Sequence, residues 1–327
     1  GLSIDSSTCT ISGTPTSPST NQTYTITAVM SGVTYQGSVW LSSSYLELTP
    51  SVEGADLYLD VPMTNITFEF NDSSMFTLTN PTWTPSAIST SANGPMGVYA
   101  ADVDGDGDLD IVTASKTDSS SNGKVTWWEN GGSGTWTAND IATAVDARSV
   151  YVEDIDGDGD LDVVAALFAQ DTIKLYLNSG ASNPTWTASN IDTNANGATD
   201  VHVADMDGDG DLDVVSSSLE DDTIAWYKND GQASPGWTST NIDTNRQSAR
   251  AVDVADMDGD GDLDIVTASS GDDTIAWYAN GGQSTPSFTN TDISSTADAA
   301  RDVRVADMDG DGDLDIVSAS YGDDTIA

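Results

Sequence analysis

Five times the chain sets aspartate at alternate positions of a nine-residue run, Asp-x-Asp-Gly-Asp-Gly-Asp-Leu-Asp. The first two runs hold Asp102, Asp104, Asp106, Asp108, Asp110 and Asp154, Asp156, Asp158, Asp160, Asp162. The third and fourth hold Asp205, Asp207, Asp209, Asp211, Asp213 and Asp256, Asp258, Asp260, Asp262, Asp264, and the fifth Asp307, Asp309, Asp311, Asp313, Asp315. Carboxylates this crowded repel one another by on the order of several kcal/mol once partly desolvated, so a bare loop of this kind needs a compensating cation. Hard oxygen donors select Ca²⁺ over zinc or copper, about one ion per repeat. In the third run the carboxylates of Asp205, Asp207 and Asp209 can converge on one ion, and Gly210 at position six permits a sharp left-handed turn. The backbone carbonyl of Asp211 and the carboxylate of Asp213 complete the expected shell, and the same assignment carries to all five runs.

An EF-hand opens in the same way but closes with a bidentate Glu at position twelve and a following helix. Here position twelve is Thr113, Ala165, Ser216, Thr267 or Ser318, each inside a β-branched run. These loops therefore join strands. A merely solubilising role for the aspartates is the weaker alternative, because clustered unpaired charge is costly.

A second set of residues stands three positions before each run: Tyr99, Tyr151, His202, Asp253 and Arg304. Their apolar neighbours recur from copy to copy while this position varies, and strand alternation turns it to the opposite face. Core packing does not fix such a position. The five residues are expected to form a ring of equivalent positions, one per blade, open to a ligand on the propeller axis and of little weight for stability, or a merely tolerant surface or channel position. His202 is the only histidine, so any scheme that needs a histidine base has one candidate.

The elements that position these residues follow from the period. The runs begin 52, 51, 51 and 51 residues apart, the signature of a propeller, solenoid or array. An alternating stretch such as Val252–Ala255 precedes the acidic loop and a β-branched stretch such as Leu263–Thr267 follows it. Next come Thr274–Tyr278, a turn at Asn280-Gly281-Gly282, and a segment carrying an aromatic: Trp83, Trp136, Trp186, Trp237 or Phe288 in successive copies. Four short strands per repeat make the blade of a β-propeller, and no segment holds a 3.6-residue apolar stripe. The in-phase Trp128, Tyr176, Tyr227 and Tyr278 are expected to pack between blades, with sugar stacking the alternative. The loop between second and third strands varies most, and variable loops on a rigid scaffold are where recognition concentrates.

Residues 1–79 lack the repeat and carry alternating runs at 24–29, 57–61 and 66–70, which read as a separate β-sandwich-like region. Residues 80–327 form the repeat region, with a spare strand expected at Pro81–Ser89.

The chain has 327 residues with 53 acidic against 9 Lys and Arg, a formal charge of -44, which excludes nucleic-acid backbones and anionic membrane surfaces as partners. Nine Trp and ten Tyr argue for a folded protein rather than an acidic tail. Cys9, the single cysteine, allows no internal disulfide or thiolate zinc site. No apolar run is long enough to span a bilayer. No Gly-x-Ser-x-Gly elbow, His-Glu-x-x-His helix or phosphate-cradling loop is present, so no catalytic constellation is assigned. Without an initiator Met or signal peptide, the chain reads as a fragment of a longer polypeptide whose last blade is cut in its third strand.

The repeats resemble the FG-GAP/VCBS family, which includes the integrin α-subunit propeller and many large secreted microbial proteins. The resemblance covers about residues 81–327 and implies a Ca²⁺ site in each acidic loop and a place in a seven-bladed ring. Gly1–Asp5, Ile11–Pro15 and Tyr24–Ala28 resemble the later half of Ig or cadherin-like modules that precede such repeats. Together these imply an all-β, Ca²⁺-stabilised adhesion or ligand-binding protein, extracellular or at the cell surface, that meets a protein or carbohydrate. The alternatives are a propeller lyase or glycosidase acting on polysaccharide and a structural spacer in a large surface protein. The five blades are expected to form an open arc, with ring closure by the Pro81–Ser89 strand the competing outcome.

Overall fold

The computed structural model describes residues 85–116, 123–132, 134–282 and 286–327, together with the backbone of five N-terminal strands. Two compact units divide the chain, Gly1–Pro85 and Ser86–Ala327. The first contains β1 (Leu2–Asp5), β2 (Thr10–Ser12), β3 (Gln22–Met30), β4 (Val33–Leu41) and β5 (Leu46–Pro50). They form one sheet in the order β2-β1-β3-β4-β5, parallel only between β1 and β3. The alternating run at 24–29 lies in β3. Cys9, the runs at 57–61 and 66–70, and Trp83 lie outside the described residues.

The second unit is a series of antiparallel sheets, one per repeat. Blade 1 contains β6 (Pro95–Ala101), β7 (Asp110–Ser115), β8 (Lys124–Asn130) and β9 (Trp136–Thr143). Blade 2 contains β10 (Ala147–Glu153), β11 (Asp162–Leu167), β12 (Thr172–Asn178) and β13 (Trp186–Asp192). Blade 3 follows with β14 (Ala198–Ala204), β15 (Asp213–Ser218), β16 (Thr223–Asn229) and β17 (Trp237–Asp243). Blade 4 has β18 (Ala249–Ala255), β19 (Asp264–Ser269), β20 (Thr274–Asn280) and β21 (Phe288–Ser294). Blade 5 has β22 (Ala300–Ala306), β23 (Asp315–Ser320) and β24 (Thr325–Ile326). Strands pair in chain order within every blade. This is the expected all-β propeller arrangement. The described part of the expected strand at 81–89 contains no strand.

First strands lie side by side, β6 on β10, β10 on β14, β14 on β18 and β18 on β22, so they form the inner rim. The second strands of blades 2 to 4 are buried along their whole length because both of their faces are covered. After the opening Asp the residues they bury are small or β-branched, Val, Ile, Ala, Ser and Thr, with one Leu. In β11 every residue is buried: Val163 and Ala165 enter the core shared with blade 1, while Val164 and Ala166 enter the core shared with blade 3. Two more cores join blade 3 to blade 4 and blade 4 to blade 5. Three of the four in-phase aromatics belong to these seams, while Trp128 of blade 1 is in none of them and bonds through its indole N–H to Thr113 Oγ1 of its own blade. Tyr176, Tyr227 and Tyr278 are buried in them, and Trp186, Trp237 and Phe288 pack against them.

Candidate functional site

Each acidic loop connects the first strand of a blade to the second, and its shape is set by glycine. Gly208 and Gly210 take φ of 71° and 96°, and the four other loops repeat this pair closely. Such angles cost an L side chain steric strain that glycine avoids. The turn is then locked by its first aspartate, whose Oδ2 accepts the N–H of the second glycine. The donor–acceptor distance is 3.0 Å from Gly107 to Asp102, 3.0 Å from Gly159 to Asp154 and 2.9 Å from Gly210 to Asp205. It is 3.1 Å from Gly261 to Asp256 and 3.2 Å from Gly312 to Asp307.

The folded loops bring carboxylate oxygens within 4.8 Å of one another in five sets. In blades 1 to 3 the converging residues hold positions one, three and nine: Asp102, Asp104, Asp110; Asp154, Asp156, Asp162; Asp205, Asp207, Asp213. In blades 4 and 5 they hold positions one, three and five: Asp256, Asp258, Asp260; Asp307, Asp309, Asp311. The position-seven residues Asp108, Asp160, Asp211, Asp262 and Asp313 are outside these sets. The carboxylates of Asp160, Asp211 and Asp262 lie instead against Gly180, Gly231 and Gly282, in the turn after the third strand, where a Cβ would collide with them.

The remaining loop residues also differ in burial. Asp106, Asp158 and Asp209 lie at position five of the first three loops, outside the converging sets, and each Oδ1 accepts the N–H two residues on. Asp264 and Asp315 hold position nine of the last two loops and have the same bonds to the loop N–H of Met257 and Met308 as their counterparts.

Position nine has a second task that the spacing did not reveal. Asp213 is fully buried, and its Oδ2 accepts N–H bonds from Met206 and from the Trp226 indole (2.9 Å). Its Oδ1 accepts the Asn229 N–H at 2.8 Å. Asp110 is bound in the same way by Val103, Trp127 and Asn130, and Asp264 by Met257, Trp277 and Asn280. This aspartate ties the loop to the end of the third strand. Burial pushes Asp213 up to about 6 despite these donors, and Asp162 up to about 7. Blade 2 has Leu175 where blade 3 has Trp226, so Asp162 lacks the indole donor that favours the charged form.

The third-strand asparagine is a further residue missed at the sequence level, where it reads only as part of a turn. Asn229 Nδ2 donates to Leu212 O in its own loop and to Ile155 O in the loop of blade 2, at 3.0 and 3.1 Å. Asn178 bridges to Val103 O and Asn280 to Met206 O in the same manner. The acidic loops of blades 1 to 3 are thereby fastened to the next blade.

Two observations test whether the loops suit a cation. Asp102 Oδ1 and Asp207 Oδ1 are buried without a hydrogen-bond partner. Desolvation and like-charged neighbours push the Asp104 and Asp156 carboxyls up, the repulsion a cation relieves. The donors in every set are hard carboxylate oxygens. The sets fit a divalent cation of the Ca²⁺ type.

The five inner-strand residues are brought into one row. The Tyr99 and Tyr151 rings lie 4.8 Å apart and the Tyr151 and His202 rings 4.9 Å apart. His202 Nδ1 is 3.2 Å from Asp253 Oδ1, and Asp253 Oδ2 accepts the Val305 N–H at 2.8 Å. Burial favours neutral Asp253, but the bonds from His202 and Val305 outweigh it and hold the carboxyl below its usual range. The expectation that these residues carry little weight for stability does not match this packing. Asp253 is buried, Tyr99 and Tyr151 pack against core clusters, and only Arg304 is exposed. Comparing repeats one at a time hides contacts that each residue makes with the next blade.

Between second and third strands, Phe168 of blade 2 lies beneath the Arg148 guanidinium at 3.6 Å, and Tyr321 of blade 5 beneath Arg301 at 4.2 Å. Most of the corresponding loop of blade 1, from 117 to 122, lies outside the described residues.

Antiparallel blades in chain order, each with an acidic loop between its first two strands, define a β-propeller repeat protein by architecture. The chain belongs to the FG-GAP-like repeat family, whose model matches residues 56–113, 117–165, 154–216, 212–267 and 256–318. The "Putative Ig domain" model matches residues 1–42. No curated protein matches the chain. Among solved structures, the V. cholerae biofilm matrix protein Bap1 is similar at 20% identity with a TM-score of 0.44. The alignment covers 72% of this chain and 37% of that protein, so the chain spans well under half of its length.

Proposed function

We propose that the chain is a Ca²⁺-stabilised ligand-binding or adhesion module of an extracellular or cell-surface protein, with about one ion per acidic loop. The observation that carries this reading is the convergence of three carboxylates in every loop, with buried oxygens of Asp102 and Asp207 left without partners. A cation there neutralises the tightest charge clusters of the chain and fixes a loop that, in blades 1 to 3, is already bonded to its neighbouring blade. The carbonyl at position seven, as in Asp211, is the remaining protein donor in this reading. Because ligating carboxylates must be ionised, affinity falls as pH drops toward the aspartate range.

The metal holds the scaffold, and recognition belongs to the loops between second and third strands and to the row Tyr99, Tyr151, His202, Asp253 and Arg304. The partner in this reading is an extracellular protein or carbohydrate. Aromatic faces ending in charged side chains suit a polar, ring-bearing ligand such as a glycan. The chain acts here as a binder and carries no catalytic step. A glycan array run beside a broad polysaccharide-degradation assay, both in Ca²⁺, tests it. Retention of a glycan without turnover is expected, and product release would overturn the reading in favour of an enzyme.

A further inference from the structure

The five acidic loops have nearly one sequence, but the residue facing them from the third strand differs. The residue before the bridging asparagine is Glu129 in blade 1, Leu177 in blade 2, Lys228 in blade 3 and Ala279 in blade 4. The bond from the Asn229 N–H to Asp213 holds this part of β16 against the loop, so a long side chain at 228 reaches the carboxylates. The Lys228 ammonium pairs with Asp207 Oδ2 and lies 2.7 Å from Asp209 Oδ2. Asp207 has no exposed side-chain surface and belongs to the converging set of loop 3. Among the described residues, no other Lys or Arg forms an ion pair with a loop aspartate. In blade 1 the same position is acidic, and the Glu129 charge acts on Asp104 in the direction opposite to a lysine.

We infer that Lys228 is a tethered counterion that competes with the divalent cation for loop 3, so that the loops fill in an order set by the third strand. This rests on the reading of the loops as cation sites. An ammonium cancels one charge where a divalent ion cancels two, and both need Asp207. Binding the ion requires Lys228 to release Asp207 and swing into solvent, which its flexible stem permits. Loops 2 and 4, with Leu177 and Ala279 at this position, carry no such competitor. Loop 3 thus keeps its shape at low Ca²⁺, through the lysine, and takes metal last among the first four loops.

The test follows the glycine amides of the loops by NMR while Ca²⁺ is added to the chelator-treated full chain. Gly208 and Gly210 report loop 3, and Gly259 and Gly261 report loop 4. In the wild type, loop 3 should need about fivefold more Ca²⁺ than loop 4, the upper end for one partly exposed ion pair. Lys228→Met, which keeps the apolar stem, should bring the two midpoints together, and Lys228→Arg should keep them apart. Coincident midpoints in the wild type, or a gap that survives Lys228→Met, would overturn the inference while leaving the loops as cation sites. If no loop amide responds to millimolar Ca²⁺, the cation reading itself falls, and this inference falls with it. The wild-type titration decides the matter even where Lys228→Met fails to fold.

Discussion

The inner blades and the two end blades are built from nearly the same repeat, yet equivalent residues have opposite fates. Val150, Val201, Val252 and Val303 on the inner strands are 1–4% exposed, while Val98, their counterpart in blade 1, is 69% exposed. At the other end, Val103, Ile155 and Met206 are 2–3% exposed, but Met308 of blade 5 is 63% exposed. Each blade uses one face to bury the valine of the blade that follows it and the other to cover the loop residue of the blade before. A repeat therefore owns half of each of two cores and completes neither alone, which is the nearest-neighbour energetics of repeat architectures.

The largest expected effect is that of metal removal, which on the proposed reading acts on all the acidic loops at once. Removing metal with chelator should lower the melting temperature sharply, with Ca²⁺ restoring it better than Mg²⁺. Each site filled at a hundredfold excess over Kd contributes about 2.7 kcal/mol, and several sites rival the stability of a whole domain. Hydrogen exchange should show β11, β15 and β19 losing protection together. An unchanged melting curve in protein shown metal-free by elemental analysis would sink this.

A second comparison uses the valines themselves. Val252→Ala opens space inside a seam and should cost about 1.5–3 kcal/mol, whereas Val98→Ala should stay within about 0.5 kcal/mol. Equal losses in denaturant titrations of the two variants would show that blade 1 is covered in solution.

The bridging asparagines give a smaller contrast. Asn229→Ala orphans buried carbonyls of Ile155 and Leu212 in two blades and should cost about 1–3 kcal/mol. Among the described residues, Asn130 Nδ2 donates only to Leu109 O of its own loop, so Asn130→Ala should cost less. A larger loss for Asn130→Ala would contradict the clamp.

The smallest effect is in pH. In metal-free protein, burial raises Asp162 to about 7 and Asp213 to about 6, above their unfolded values. Their contribution is therefore full below the ordinary aspartate range and is lost as pH rises through about 6 to 7. Acidifying chelated protein from pH 8 to 5 should thus raise its melting temperature, and acidifying Ca²⁺-loaded protein should lower it. Carbon-13 NMR of the side-chain carboxyls checks the assignment: both groups titrate in chelator and stay ionised with Ca²⁺.

Much of the architecture was legible because it is local. A 51-residue period, alternation in the inner strands and paired glycines in the acidic loops are properties of short stretches, and the blade order followed from them. The site was legible in part. Positions one and three converge in every loop, but position seven points its carboxylate elsewhere, and position nine doubles as the acceptor for Trp226 and Asn229. Identical aspartates cannot announce that division, since it depends on which backbone N–H groups the neighbouring strand presents. The row from Tyr99 to Arg304 was recognised as equivalent positions, but its stacking was not, because each contact crosses between blades about 51 residues apart.

By itself the sequence determined the repeat, the strand order within each blade and the hard-oxygen chemistry of the loops, because these rest on backbone preference and charge density within about ten residues. Only the tertiary structure decided which valines are core, which asparagines bridge, and that Lys228 lies on the carboxylates of loop 3 while Glu129 holds the same register in blade 1. Those outcomes depend on surfaces brought together from separate strands and blades, and burial, not residue type, sets what a side chain contributes there.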